Sequence, residues 1–251
     1  MEILPISLPL KKRKFDIFYT ICLSGFEFLE RDIIVISSKY LSISEGSIVK
    51  LKNVKVSKRA RNIASRYHLS PQITELVLRE SDYVFPGVPG FLLTVRQGII
   101  APNAGIDKSN VPSGFVALYP RRPFESAEYL RRKFFNRFGI NTGIVIADSR
   151  IMPMRIGTVG VAIANAGFEP VKDERGKKDL FGRTLKVTFK AIADSIATMG
   201  VAVMGEANES TPVAVVRGME TISTTRSLSW RDLAIEPKDD IYRRGFLGLK
   251  C

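Results

Sequence analysis

Three carboxylates stand out in this sequence because each is set among small residues: Asp107 in Asn-Ala-Gly-Ile-Asp, Asp148 in Ala-Asp-Ser and Glu206 in Met-Gly-Glu-Ala-Asn. Each is expected at a loop or strand end. If they converge, two or three carboxylates with the Ser149 hydroxyl make a hard oxygen site for Mg²⁺ or Mn²⁺, ions that typically bridge phosphate oxygens. Taken singly, each Asp is more often a turn or cap residue than a ligand. The spacing alone leaves both readings open.

Other chemistries are poorly supplied. The sole histidine, His68, closes a basic segment between Tyr67 and Leu69 with no Gly-x-Ser-x-Gly pattern nearby, which argues against Ser-His-Asp and Cys-His mechanisms. The glycines form neither Gly-x-Gly-x-x-Gly nor Gly-x-x-x-x-Gly-Lys-Ser/Thr, so Rossmann and P-loop readings fall. Two cysteines, Cys22 and Cys251, with one histidine build neither a disulfide framework nor a zinc site, and they fit a reducing cytoplasm.

The elements that position these groups follow from composition and pattern. With 251 residues, 45% apolar and 25% charged, the chain has the profile of a core-forming soluble protein. No Gly/Ser/Pro-rich linker marks a seam, so residues 1–251 are read as one catalytic unit. No stretch approaches the roughly 18 uncharged apolar residues of a membrane span. The apolar stretch 1–10 precedes its basic residues instead of following them, so neither a targeting signal nor a membrane partner is expected. The net charge is +13, made of +7 from residues 1–125 and +6 from the rest, so it is spread and not a tail. A uniformly basic surface attracts polyanions, whether nucleic acid or small phosphorylated substrates, and charge does not choose between them.

Along the chain, the β-branched run 33–36 reads as a buried strand and 37–46 as a loop. Ser57 caps a helix with apolar Ala60, Ile63, Ala64 and Tyr67, leaving Lys58, Arg59, Arg61 and Arg66 on the face that an amphipathic helix turns to solvent. Residues 72–79 resume helically after Pro71, 91–95 read as a strand, and 101–110 as a polar loop. Residues 123–138 read as a helix stopped by Gly139. The apolar run 143–147 delivers Asp148 and Ser149 at its C-terminal end, and 159–164 is a further strand. Leu185, Phe189, Ile192, Ile196, Met199 and Val203 step by helical intervals, a packing seam.

Several motifs then occur in order: Ser38-Lys39-x-x-Ser42-x-Ser44-Glu45-Gly46, Glu80-Ser81, Ala101-x-Asn103-Ala104-Gly105-Ile106-Asp107-x-Ser109-Asn110, Asp148-Ser149 through Pro153-x-Arg155-x-Gly157, and Asp173-x-Arg175-Gly176-x-x-Asp179-x-x-Gly182-Arg183. Asp194, Met204-Gly205-Glu206 and Pro212 to Arg217-Gly218 continue the series. In these the chain resembles the coenzyme F420-0:L-glutamate ligase family, also called F420-0:γ-glutamyl ligase. The likeness covers nearly the whole chain, and the Asn-Ala-Gly-Ile-Asp-x-Ser-Asn block is its most specific piece.

The resemblance implies an α+β fold of mixed sheets with packed helices, an intertwined homodimer, and a GTP-dependent ligase that adds L-glutamate to F420-0, and γ-linked to F420-1, through an acyl phosphate. It implies Mg²⁺ or Mn²⁺, with K⁺ as a further cation, and no specific nucleic acid. By motif position, Asp107 and Asp148 are the catalytic acids, and Asp107, Asp148, Ser149 and Glu206 hold metal. Leu8, Pro9, Leu10, Lys11, Ser38, Lys39, Asn110, Met204, Gly205, Glu206, Ala207, Asn208, Glu209, Ser210 and Thr211 line the nucleotide site. The sequence departs where the family commonly has a second lysine, here Ile43, and where a glycine and a tryptophan are replaced within Ser149-Arg150-Ile151-Met152-Pro153-Met154-Arg155; Ala164 also replaces a usual glycine. Two rival readings stay open: a paralogous amino-acid ligase with another carboxylate acceptor, and a catalytically weakened nucleotide- or RNA-binding protein. Absence of an aromatic-rich RNA motif argues against an RNA module.

Overall fold

The computed structural model describes residues 1–236 and 238–242. Its elements run β1 (Glu2–Ile6), α1 (Ile17–Cys22), β2 (Ile33–Ser37), α2 (Ser38–Glu45), β3 (Ile48–Lys50), α3 (Lys58–Tyr67), α4 (Pro71–Glu80), β4 (Tyr83–Val84), β5 (Leu93–Arg96) and β6 (Ile99–Pro102). They continue with β7 (Phe115–Ala117), α5 (Pro123–Phe138), β8 (Gly143–Ile151), β9 (Thr158–Ala166), β10 (Val171–Asp173), β11 (Phe189–Ala191), α6 (Ile192–Met204) and β12 (Val213–Arg217).

The architecture is α+β. A mixed five-stranded sheet has the order β1-β12-β2-β8-β9, with β2 and β8 parallel and the other neighbours antiparallel. Strand alternation sends successive side chains to opposite faces, and both faces of this sheet are covered. Ile34, Ile36, Ile144, Ile146, Val213 and Val215 pack with Ile17, Ile21, Leu41, Leu130 and Phe134 of α1, α2 and α5. Ile33, Val35, Val145, Ala147, Ala214 and Val216 pack with Ala193, Ile196 and Ala197 of α6. That double burial explains why β2 is an unbroken apolar run. A separate cluster of Ile73, Leu76, Val77, Leu92, Ala104 and Val116 fastens α4 to β7 and to the short turn Asn103–Gly105.

Several local expectations match. Ser57 Oγ accepts the Ala60 N–H and starts α3, Pro71 occupies the first turn of α4, and α5 ends at Gly139 with φ +71°. Three expectations are corrected. Segment 37–46 is not a loop but carries α2, whose Tyr40, Leu41 and Ile43 are buried and whose exit is Gly46 at φ +77°. The apolar run 143–147 does not end at Ala147: β8 continues through Ile151 because β9 supplies partners as far as Ile151↔Thr158, which places Asp148 and Ser149 inside the strand. The helical seam over 185–203 begins only at Ile192. Phe189 lies in β11 opposite Asp173, and the buried face of α6 is Ala193, Ile196, Ala197, Gly200 and Met204. Small residues win that face because the helix lies close on the sheet; a Cβ on Gly200 would stand 2.6 Å from Val35 Cγ1. Cys22 is a free, half-buried thiol, and Cys251 lies outside the described residues.

Candidate active site

The parallel pairing of β2 with β8 sets Ser37 opposite Ala147, so the start of α2 and the second half of β8 meet at one end of the sheet. The alternation of β8 then divides its side chains. Asp148 and Arg150 fall on the face shared with Ile144 and Ile146, and Ser149 falls on the face shared with Val145 and Ala147. A cleft of about 410 Å³ wraps this strand and is lined by Asp107, Asp148, Ser149 and Arg150, together with residues 8–11 and 204–211.

On the α2 side, Ser38 is buried and donates from its Oγ to Asp148 Oδ1 at 2.7 Å. Arg150 Nη2 stands 2.9 Å from the other oxygen, Oδ2. The next residue, Lys39, reaches the loop from the α4 cluster, where its Nζ lies 2.6 Å from Asp107 Oδ2 and donates to Ser109 Oγ. Asp107 also accepts the Ser109 N–H on Oδ1 at 2.7 Å and the Ser109 hydroxyl on Oδ2 at 2.9 Å. Burial pushes the Asp107 carboxyl upward, but the Lys39 ammonium and the Ser109 donors outweigh it, so its pKa lies below the ordinary carboxylate value.

The Asn-Ala-Gly block owes its sequence to backbone shape. Asn103, Ala104 and Gly105 all have positive φ, at +50°, +56° and +69°. Asn103 Oδ1 accepts the Leu92 N–H at 2.9 Å, and Ala104 N–H donates to Thr94 Oγ1 at 2.9 Å, which pins the turn. Gly105 packs where a Cβ would be 2.9 Å from Tyr119 Cδ2 and 3.3 Å from Arg150 Nη1. Asp107 follows in a backbone bridge to Ala117, so its carboxylate leaves a fixed main chain.

The opposite wall is the segment between α6 and β12. Glu206 Oε1 accepts the Ser149 hydroxyl at 2.6 Å and the Thr158 hydroxyl at 3.1 Å. The Ala207 N–H donates to Glu209 Oε2 at 2.8 Å, and the Ala207 carbonyl accepts from Asn110 Nδ2 at 2.9 Å. Leu8 N–H donates to the Ser210 carbonyl at 2.9 Å, and Thr211 Oγ1 donates to the Met204 carbonyl. Tyr40 Oη, whose pKa burial pushes up to about 12, donates to the Pro9 carbonyl at 3.2 Å. Lys11 Nζ lies 5.5 Å from the Phe15 ring centre. Of the residues assigned to the nucleotide site from sequence, all but Ser38 line the cleft.

The cleft therefore brings Asp107, Asp148, Ser149 and Glu206 to one cavity, in two pairings. Asp148 and Asp107 are each held by a base, whereas Glu206 is held by two hydroxyls. Among the described residues no three acidic, histidine or cysteine side chains are gathered tightly enough to hold an ion as they stand. Carboxylate and hydroxyl oxygens nonetheless make a donor set suited to a hard divalent cation such as Mg²⁺ or Mn²⁺. Arg150 and Thr158 were missed from sequence. The available signal for Arg150 was the period of two from Asp148, hidden by ending the strand too early. Two residues of the later motifs have other work. Asp194 Oδ1 accepts the Ala162 N–H at 2.8 Å beside the bulge between β8 and β9, its pKa raised by burial. Arg217 makes a two-bond pair with buried Asp32 at 2.8 Å on each oxygen.

Comparison with known proteins places the whole cleft inside one match. Residues 6–218 match the family model described as F420-0:Gamma-glutamyl ligase. The chain is 36% identical over 221 residues to the coenzyme F420:L-glutamate ligase of Methanopyrus kandleri, covering 88% of each chain. It is 33% identical over 244 residues to the enzyme of that name from Methanocaldococcus jannaschii, and 36% over 245 residues to that from Archaeoglobus fulgidus, covering 97% of each chain in both cases.

Proposed function

The chain belongs to the F420-0:gamma-glutamyl ligase family, and from that premise we propose that its cleft joins L-glutamate to the carboxylate of coenzyme F420-0 at the expense of GTP, and extends the product by γ-linkage. The observation that carries this reading is the convergence of Asp107 and Asp148 on one cavity, each carboxylate neutralised by its own base, Lys39 from α2 and Arg150 from β8.

The chemistry sets the demands. A carboxylate oxygen of the acceptor attacks the terminal phosphorus of GTP, GDP leaves, and an acyl phosphate results. The glutamate amine then attacks the acyl carbon, phosphate leaves, and the amine's proton is released. The first step brings two anions together, so positive charge must be in place beforehand. A Mg²⁺ or Mn²⁺ ion, held by Asp107, Asp148, Ser149 and Glu206 when bound, would supply Lewis-acid screening of the triphosphate. Lys39 brings an ammonium to the same spot. Residues 204–211, braced by Asn110 and Leu8, offer a tight backbone wall for the nucleotide, and Lys11 lines the same cleft. The depressed pKa of Asp107 keeps it ionised at neutral pH.

The homodimer belongs to the same reading. Ile156, Leu180, Phe181 and Val187 are 83% or more exposed on the loops beyond β8 and between β10 and β11, apolar side chains that a second copy would cover. Among the described residues no helix is long and apolar enough to cross a membrane, and we place the reaction in the cytoplasm.

The test is incubation of the purified protein with F420-0, L-glutamate, GTP and Mn²⁺, with and without K⁺, followed by mass analysis of the deazaflavin. A glutamyl increment accompanied by GDP is expected. Unchanged deazaflavin, with the protein folded and GTP intact, would overturn the reading.

A further inference from the structure

Arg150 carries a full charge on a side chain only 5% exposed, and its donors are poorly matched. A buried guanidinium normally has acceptors for its N–H groups. Here Nη2 lies 2.9 Å from Asp148 Oδ2, near enough for ion pairing but without the alignment of a hydrogen bond, and Nε has no acceptor among the described residues. The guanidinium also lies 5.6 Å from the centre of the Tyr119 ring, close beside its buried hydroxyl, which has no well-aligned hydrogen-bond partner among the described residues. The residue nevertheless faces the cleft. Its only charge partner among the described residues is a carboxylate that the ligase reading assigns to a divalent cation.

We propose that Arg150 is an oxyanion-binding residue of this cleft, resting on Asp148 while the cleft is empty and turning its donors to a phosphate or carboxylate oxygen of the substrates when Asp148 is otherwise engaged. The planar fork of N–H groups suits either anion, which a lysine ammonium matches only as a point charge. The identity of the substrates rests on the ligase reading; the competition between guanidinium and cation for Asp148 does not.

Two effects of opposite sign follow. Removing the guanidinium frees Asp148 for a cation and removes donors from an anion. A residue that only filled space would not move the two in opposite directions. The experiment uses Arg150→Met and Arg150→Lys in the full chain, with thermal melting to confirm folding. Mn²⁺ alone is titrated first. Inorganic triphosphate in the presence of Mg²⁺ and L-glutamate are then titrated as separate anion probes by calorimetry.

Arg150→Met is expected to bind Mn²⁺ several-fold more tightly and at least one of the anions about tenfold or more weakly, as for loss of a charged hydrogen bond. Arg150→Lys should fall between that variant and the unaltered protein for the anion. Weakened triphosphate places the fork at the nucleotide, and weakened glutamate places it at the carboxylate substrate; either supports the proposal. Unchanged affinity for both anions, or weaker Mn²⁺ binding in a folded Arg150→Met protein, would overturn it. If Arg150→Met does not fold, Arg150→Lys decides: anion binding equal to the unaltered protein shows that the fork is not used. A failure of the unaltered protein to glutamylate F420-0 would remove the ligase reading and leave these binding results standing.

Discussion

Gly205 offers the sharpest test of how the wall proposed for the nucleotide is built. Its backbone, at φ +74° and ψ 174°, lies in a region that side chains with a Cβ scarcely enter. The position is also crowded, since a Cβ there would come 2.2 Å from Glu209 Cδ and 2.5 and 2.6 Å from its two oxygens. Glu209 is the free end of a flexible side chain and can swing away, at the loss of its bond from the Ala207 N–H. The backbone strain has no such escape, and holding a non-glycine residue there costs on the order of 1–3 kcal/mol. In Gly205→Ala this cost appears either as lost stability, if the loop keeps its shape, or as lost affinity, if the loop relaxes and GTP must restore it. Because α6 and the sheet lie on the buried side of the segment, the loop is the part free to relax. We therefore expect GTP with Mg²⁺ to bind roughly 5- to 150-fold more weakly, the equivalent of that strain, with the melting temperature nearly unchanged. Calorimetry and thermal melting read the two terms separately. Adding Glu209→Ala should relieve only the crowding. Unchanged affinity and unchanged stability together would refute the claim that the loop shape is set by Gly205.

Three further outcomes are expected. Asp148→Asn should abolish glutamyl transfer while circular dichroism shows an intact fold, because the amide keeps the shape of the carboxylate, its one oxygen can face Arg150 and its NH2 can donate to the Ser38 hydroxyl; full turnover would remove Asp148 from the machinery. Ile43 is buried and lines the cleft, so Ile43→Lys should tighten GTP by the about 1.5–3 kcal/mol of a charged hydrogen bond, less the cost of seating the new charge; unchanged or weaker binding in calorimetry shows that the position does not face phosphate. The depressed pKa of Asp107 implies stability that is present above the ordinary carboxylate value of 3.8 and is lost as pH falls through the lower folded-state value. Melting curves of the unaltered protein and Lys39→Met should therefore differ at neutral pH and converge in acid, and a difference that persists below that range would assign Lys39 another structural role.

How much of this was legible in the sequence depends on whether the deciding contact is local. Helix α5 could be read from Pro123 to Gly139 because its caps and its apolar spacing are its own. Helix α2 could not, since a short serine-rich segment has no strong pattern and becomes helical by burying Tyr40, Leu41 and Ile43 under the sheet. The end of β8 is set by its partner β9, not by where the apolar run stops, and Arg150 lies in the part of the strand that only this pairing defines. The working face of α6 was displaced because the sheet admits small residues there, and hydrophobicity does not report closeness of approach. At the site, residue type and neighbours pointed to Asp107, Asp148, Ser149 and Glu206. Their partners did not follow, because Ser38 meets Asp148 across 110 positions of chain and Lys39 meets Ser109 across 70.

The charge pattern of the cleft has a physical logic that neither the net charge nor the motifs convey. Ionised carboxylates facing one cavity repel, and that repulsion falls on the folded protein whenever no cation is present. Lys39 on Asp107 and Arg150 on Asp148 offset that repulsion from within the chain itself. The same pairing opposes a divalent cation, which must take oxygens already engaged. On the proposed function, a triphosphate entering with the cation would reverse the balance, since its oxygens would give the displaced bases new partners of the same sign as those they lost. Cation and nucleotide are thereby linked: each makes room for the other, and the linkage is reciprocal in their binding free energies. A cleft of bare acids would bind the ion first and the nucleotide afterwards, whereas the proposed site would favour their arrival together.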